Sequence, residues 1–227
     1  MDIKNIILIA VALINIFLGV TLLVKNAKSP INVSFSLVTF GVAVWSFGIA
    51  MFNKTLDMET AIAWARLYYF GGAIIIFAFL FFANHFPYKS FAVSENKLLL
   101  ITLPLLTITF VIFHPTLLVE KATHYFWGND ANVKLLGHVL YIIYFFSFLI
   151  LAYKMLITKF KKSEGVIRFI LLQLIIITAI SFIIAFTFDL IVPLLGNYRL
   201  IWVGPYFSLI TIFYVMSLIF KKLKRGG

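Results

Sequence analysis

Two charged side chains carry most of the chemistry that this sequence could perform, because both fall within apolar runs. Arg66 stands in "AIAWARLYYFGG" (61–72), and Asp189 closes the run "ISFIIAFTFDL" (180–190). An ionisable group inside a bilayer costs roughly 2.5 to 3.5 kcal/mol on insertion scales, so it is paired, reaches the interface, or is used. A guanidinium is suited to bidentate carboxylate recognition. Two readings of Arg66 are open. It lies roughly 9 Å below the start of its run at 1.5 Å per residue, from where a long stem can lift its head to the headgroups. Alternatively it edges a pocket and meets Asp189 or the anionic group of a ligand, with Trp64, Tyr68, Trp202 and Tyr206 as walls. Asp189 taken alone is equally a solvated helix end.

The remaining reactive types are sparse. There is no cysteine, hence no disulfide, thiolate ligand or thiol nucleophile. The histidines, His85, His114, His124 and His138, show no i, i+4 pair and no HExxH, so no metal or other cofactor is expected. GxSxG and P-loop patterns are absent, no carboxylate pair lies within an apolar run, and the last run has no lysine for a retinal Schiff base. An enzyme is therefore not expected.

The elements that position Arg66 and Asp189 follow from composition. Of 227 residues, 63% are hydrophobic and 12% charged, against roughly 45 to 50% apolar in soluble domains. The fold class expected is an all-α integral membrane protein. Crossing about 30 Å of hydrocarbon takes about 20 helical residues, and seven such runs can be marked: 6–24, 31–52, 60–86, 98–113, 135–157, 166–190 and 201–220. They form one domain, 1–220, followed by a basic tail, 221–227. A polar, aromatic connection of about twenty residues separates the fourth run from the fifth. The flank "MDIKN" lacks the charge of a signal peptide and no cleavage site follows, so the first run is read as a retained helix.

Basic residues orient the chain. One set of ends carries Lys25, Lys28, Lys89, Lys97, Lys154, Lys159, Lys161, Lys162, Arg168, Lys221, Lys222, Lys224 and Arg225. The other carries only Lys4, Lys54, Lys121, Lys134 and Arg199. The positive-inside rule puts the N-terminus outside and the C-terminus in the cytoplasm. The net charge of +11 thus speaks to lipid headgroups and topology, and no nucleic-acid partner is expected. All four tryptophans, Trp45, Trp64, Trp127 and Trp202, fall toward the outer side, as an interfacial belt or as walls of an outward-facing cavity. Gly204 and Pro205 open the seventh run, either as an ordinary helix start or as locally opened backbone beside a pocket. On the inner side, Gln173 is read as a helix-to-helix hydrogen bonder.

Two stretches carry a family resemblance. "SPINVSFSLVTFGVAVWSFGIAMF" (29–52) and "WARLYYFGGAIIIFAFLFFANHFP" (64–87) resemble the N-terminal seven-transmembrane region of bacterial and archaeal sensor histidine kinases. There an N/S-P-x-N-x-(S/A)-F opening of the second helix and a W-x-R/K-L-x-Y-x-G stretch in the third recur before a phenylalanine-rich exit. The aromatic fifth run, the basic "KFKKSEGVIRFILLQL" and a seventh run leading into a basic tail agree with it. The resemblance marks Trp64, Arg66, Tyr69 and Gly71 as motif residues, with Pro205 a packing position. It implies a multi-pass sensory input module in the plasma membrane of a prokaryote, with an unknown small ligand and a cytoplasmic signalling domain or partner protein. No phosphoacceptor or ATP-binding motif is present, so the effector is expected outside this sequence. A small-molecule transporter and a structural membrane protein are the alternatives. The first expects repeated halves, which are not seen; the second expects Arg66→Leu to be tolerated.

Overall fold

A computed structural model describes residues 2–90 and 95–225, with side chains described over 2–90 and 98–220. Four amino acids before α4 and the side chains of Lys97, Lys221, Lys222, Lys224 and Arg225 lie outside this range, and with them part of the basic count and the tail expected at 221–227.

The helices are α1 (Ile3–Asn26), α2 (Pro30–Lys54), α3 (Met58–His85), α4 (Glu95–Phe113), α5 (Leu135–Lys162), α6 (Gly165–Leu194) and α7 (Val203–Arg225). Local chemistry sets their limits. Ser29 caps α2 by accepting from the Asn32 N–H at 3.4 Å, with Pro30 in the first turn. Asp57 caps α3 by accepting from the Thr60 N–H at 2.9 Å, and the Thr60 hydroxyl, which also donates to it, together with this bond holds its carboxyl below the ordinary aspartate range. Pro87 follows directly on the end of α3. Among the described residues, six helices are long and apolar enough to cross a membrane. The apolar part of α4, Leu98–Phe113, is shorter and contains Pro104.

The connection at 114–134, expected only as polar and aromatic, holds an antiparallel hairpin of β1 (Val119–Tyr125) and β2 (Gly128–Val133). Gly128, with φ of 140°, supplies the turn conformation that closes it. The sixth helix runs past 190 to Leu194, and within it Thr187–Ile191 widens into a π turn.

Every helix axis runs between the hairpin end and the opposite end. α3 is central, packed by α2, α4 and α5, while α6 and α7 pack on each other, α7 also touching α1 and α2. Small residues allow the closest approach. A Cβ on Gly71 would stand 2.6 Å from the Trp45 nitrogen, and one on Gly41 3.1 Å from the Gly71 carbonyl oxygen. From α5, Tyr141 and Tyr144 donate to the α3 carbonyls of Tyr69 and Ala73, each at 3.0 Å. Ser36 donates to the Gly19 carbonyl at 2.9 Å, joining α2 to α1. Outward, Leu13, Phe17, Leu99, Leu103, Phe110, Ile150, Phe169, Ile183 and Ile210 form a continuous apolar coat. Hydroxyls on this coat, such as Thr107 and Ser147, donate back to the carbonyl four residues earlier, which satisfies them in hydrocarbon.

At the end opposite the hairpin, Lys159 is buried. Its ammonium donates to the carbonyls of Ala83, Asn84, Phe86 and Tyr88 at 2.6 to 2.9 Å, neutralising the C-terminus of α3. Lys159→Met strands these acceptors, and with about 1 to 3 kcal/mol for each unsatisfied buried group the loss is expected to be several kcal/mol. Thermal unfolding in nanodiscs checks this; a melting temperature matching that of the parent would show that water takes over the carbonyls.

Candidate functional site

Asp189 lies inside the bundle, nine-tenths buried, near the hairpin end. Ordinary helical spacing puts it there. Phe182, Ala185, Phe186 and Asp189 follow i, i+3, i+4, i+7 spacing on one face of α6, and all four line a cavity of about 60 Å³. Trp45 from α2, Tyr68, Tyr69, Gly72 and Ile75 from α3, and Tyr141 and Phe145 from α5 complete most of its wall. From α7, Gly204 lies against the carboxylate: a Cβ there would collide with Asp189 Oδ2 and stand 2.9 Å from the Trp45 ring. The rings interlock, with Tyr68 stacked on Tyr69 at 4.7 Å between centroids and Tyr69 edge-on to Tyr141 at 5.1 Å.

Unpartnered polar atoms gather around this cavity. Neither carboxylate oxygen of Asp189 has a hydrogen-bond partner among the described residues, nor have the hydroxyls of Tyr69 and Tyr198 or either ring nitrogen of buried His138. His138 meets Tyr69 edge-on at 6.2 Å. Buried polar groups are normally paired, so this cluster of exceptions makes the cavity the candidate site.

Arg66 does not meet Asp189. Its guanidinium donates to the carbonyls of Pro115 and Val119, both at 2.9 Å, and ties α3 to the base of the hairpin. Helical geometry explains the separation: Arg66 lies about 200° around α3 from Tyr68, which faces the cavity. The other expected wall residues also scatter. Trp64 packs edge-on against Phe47 of α2. Trp202 donates to the Arg199 carbonyl and leans on Tyr206, whose hydroxyl donates to the Lys4 carbonyl and fastens α7 to α1. Of the six expected ligand residues, Tyr68 and Asp189 come together; Tyr69 joins them, while Gly71 serves α2–α3 packing. Asp189 is not a solvated helix end. Nor is the backbone opened at Gly204 and Pro205, where α7 starts regularly; the wide turn is in α6 instead.

Above the cavity the hairpin is bolted down. Asn129 donates to the carbonyls of Phe52 and Thr55 at 2.6 and 2.7 Å, and its Oδ1 meets His124 Nδ1 at 2.7 Å. Lys134 pairs with Glu120 at 2.8 Å and holds that carboxyl below its ordinary range. Asp130 is half-buried with Oδ1 unpartnered, and burial pushes its carboxyl up despite nearby Arg199.

An apolar coat and six membrane-length helices define a multi-pass integral membrane protein. The chain matches, over residues 7–223, the family described as the N-terminal 7TM region of histidine kinase, and it belongs to that family. No curated protein and no solved structure matches it significantly.

Two outcomes follow from the hairpin contacts. Arg66→Leu frees the base of the hairpin, so amide hydrogen exchange at 115–125 rises at least severalfold, a loss of roughly 1.5 to 3 kcal/mol for charged hydrogen bonds; unchanged exchange would remove the anchoring role. For Asp130 the raised folded pKa means that stability is intact below 3.8 and falls as pH rises through the raised value. Asp130→Asn should therefore increase hairpin protection at neutral pH, and the gain should vanish below pH 3.8.

Proposed function

We propose that the chain is the sensory input module of a histidine-kinase-type receptor, that a small ligand binds in the Asp189 cavity, and that the response leaves through α7 to a cytoplasmic signalling domain or partner protein. All seven helices cross the membrane in this reading, with the N-terminus and the hairpin outside and the C-terminus in the cytoplasm of a prokaryote. The distribution of basic residues supports the orientation, and family membership supports the receptor role. The observation that carries the reading is the unpartnered carboxylate at the π turn of α6, facing a cavity to which α2, α3, α5 and α6 all contribute.

The mechanism is a shift between two helix arrangements. A ligand favours one arrangement only by its difference in affinity for the two. Contacts at Asp189 alter α6 at its wide turn, a feature that can change register locally without breaking the helix. Gly204 brings α7 against the same carboxylate, so a change there is felt by the helix that leads to the C-terminus.

The absence of cysteine in the sequence makes spin labelling single-sited. With labels at Lys161 on α5 and Ser217 on α7, Asp189→Asn, which removes the charge as an occupied site would neutralise it, should shift the inter-label distance distribution measured by pulsed electron resonance. Superimposable distributions would mean that the cavity does not communicate with the far end.

A further inference from the structure

We infer that the ligand class of the Asp189 cavity is a small organic cation, a protonated amine with few carbons. The inference rests on the receptor reading above and assigns the chemistry of its site.

Three observations converge on it. The first is charge. A carboxyl group nine-tenths buried, with both oxygens unpartnered, stays ionised only beside a positive counterpart. The described residues do not supply one. Among the described residues the single ion pair is Lys134 with Glu120, Arg66 is committed to the carbonyls of Pro115 and Val119, and Arg199 lies over the Trp127 ring.

The second is the wall. Seven aromatic side chains, from Trp45 and Tyr68 to Phe182 and Phe186, enclose the carboxylate. Aromatic faces attract cations by their quadrupole, and a ring of them around one carboxylate is the environment that holds an alkylammonium group, whose methyl groups pack on rings while its N–H groups reach oxygen. An anion would meet the carboxylate and the negative faces of the rings. A neutral apolar molecule would leave the carboxylate unanswered.

The third is size. A volume of about 60 Å³ accommodates a few waters or a primary ammonium with one or two carbons. Tyr69, with its hydroxyl unpartnered, offers a second acceptor for the remaining N–H groups.

The test is a thermal-stability titration of the chain in nanodiscs with methylammonium chloride, against sodium chloride at equal ionic strength, tetramethylammonium as an oversized cation, methanol as a neutral probe and acetate as an anionic one. A saturable rise in melting temperature with methylammonium, weaker with tetramethylammonium and absent with the others, is expected. It should be lost in Asp189→Asn and reduced in Phe182→Leu, which thins the aromatic wall without touching the charge. Equal rises with sodium and methylammonium, or no rise with methylammonium, overturn the cation assignment. Should methanol or acetate instead give a saturable rise that Asp189→Asn abolishes, the cavity remains a ligand site of another chemistry. If no probe acts and the spin-label distances also ignore Asp189→Asn, the receptor reading of this cavity falls with it.

Discussion

Hydrocarbon offers no hydrogen bonds, so each polar group this chain takes into the membrane must be answered from within the chain, and the architecture can be read as the set of answers. The principal ones converge on α3. At its hairpin end, Arg66 answers the carbonyls of the loop that begins the hairpin; at its other end, the ammonium of Lys159 answers the last carbonyls of α3 and the turn beyond. Between them, Tyr141 and Tyr144 donate to α3 carbonyls from the side, and glycines on α2 and α3 bring the two backbones together. Two cations that would be costly as isolated charges instead act as clamps at either end of one helix.

The consequence is a division within the bundle. α1, α2, α3 and α5 share close backbone approaches and hydrogen bonds between helices. α6 shares few: along Gly165–Phe186 only Leu171, Leu174 and Thr178 are buried, and the described side-chain hydrogen bond reaching it from another helix is that of Tyr153 with Thr178 at 2.9 Å. A helix with so little buried surface can change its packing at low cost, because few contacts must be broken before new ones form. The Asp189 cavity lies on the seam between the clamped half and the freer one, and a second cavity of about 60 Å³, sharing Trp45, Ile75, Phe182 and Ala185, continues along it. Voids along one seam mark where two packings of similar energy can exist, which is what a proposed receptor requires.

How much of this could be read beforehand depended on the scale of the signal. The helices were legible because runs of about twenty apolar residues have few alternatives in a lipid. The hairpin was not, since "VEKATHYFWGNDANV" lacks clean alternation of apolar and polar residues, and its burial comes from seating Asn129 on the end of α2. Arg66 and Asp189 were both legible as exceptional, yet their pairing was not, because it depended on helix rotation. Once Tyr68 is known to face inward, Arg66 two residues away must face elsewhere. The face of α6 was available in the spacing of Phe182, Ala185, Phe186 and Asp189, but an apolar helix with aromatic residues on all sides does not say which side is buried.

Asp189 is where the local rules are broken together. It is a buried acid without a partner, it lies in a π turn instead of a regular α turn, and it faces a glycine that leaves it room. Other buried polar groups are at least partly answered: the Asn32 amide nitrogen donates both to Leu22 and to Asn26, although its Oδ1 has no partner among the described residues, and Lys159 finds four carbonyls. A sequence that resolves its polar groups this thoroughly at both ends of α3 has the means to do so at the end of α6, where asparagine or leucine would serve packing with less cost. A buried acid, a π turn and a cavity that meet at one place fit a site kept for use. The π turn adds the mechanical half of the argument, because an inserted residue in a helix is itself unfavourable and is commonly found where a helix serves a function beyond spanning. Charge, void and widened turn are therefore one feature seen three ways, and they coincide at the point where α7, the helix that continues toward the basic end of the chain, makes its closest approach to the carboxylate.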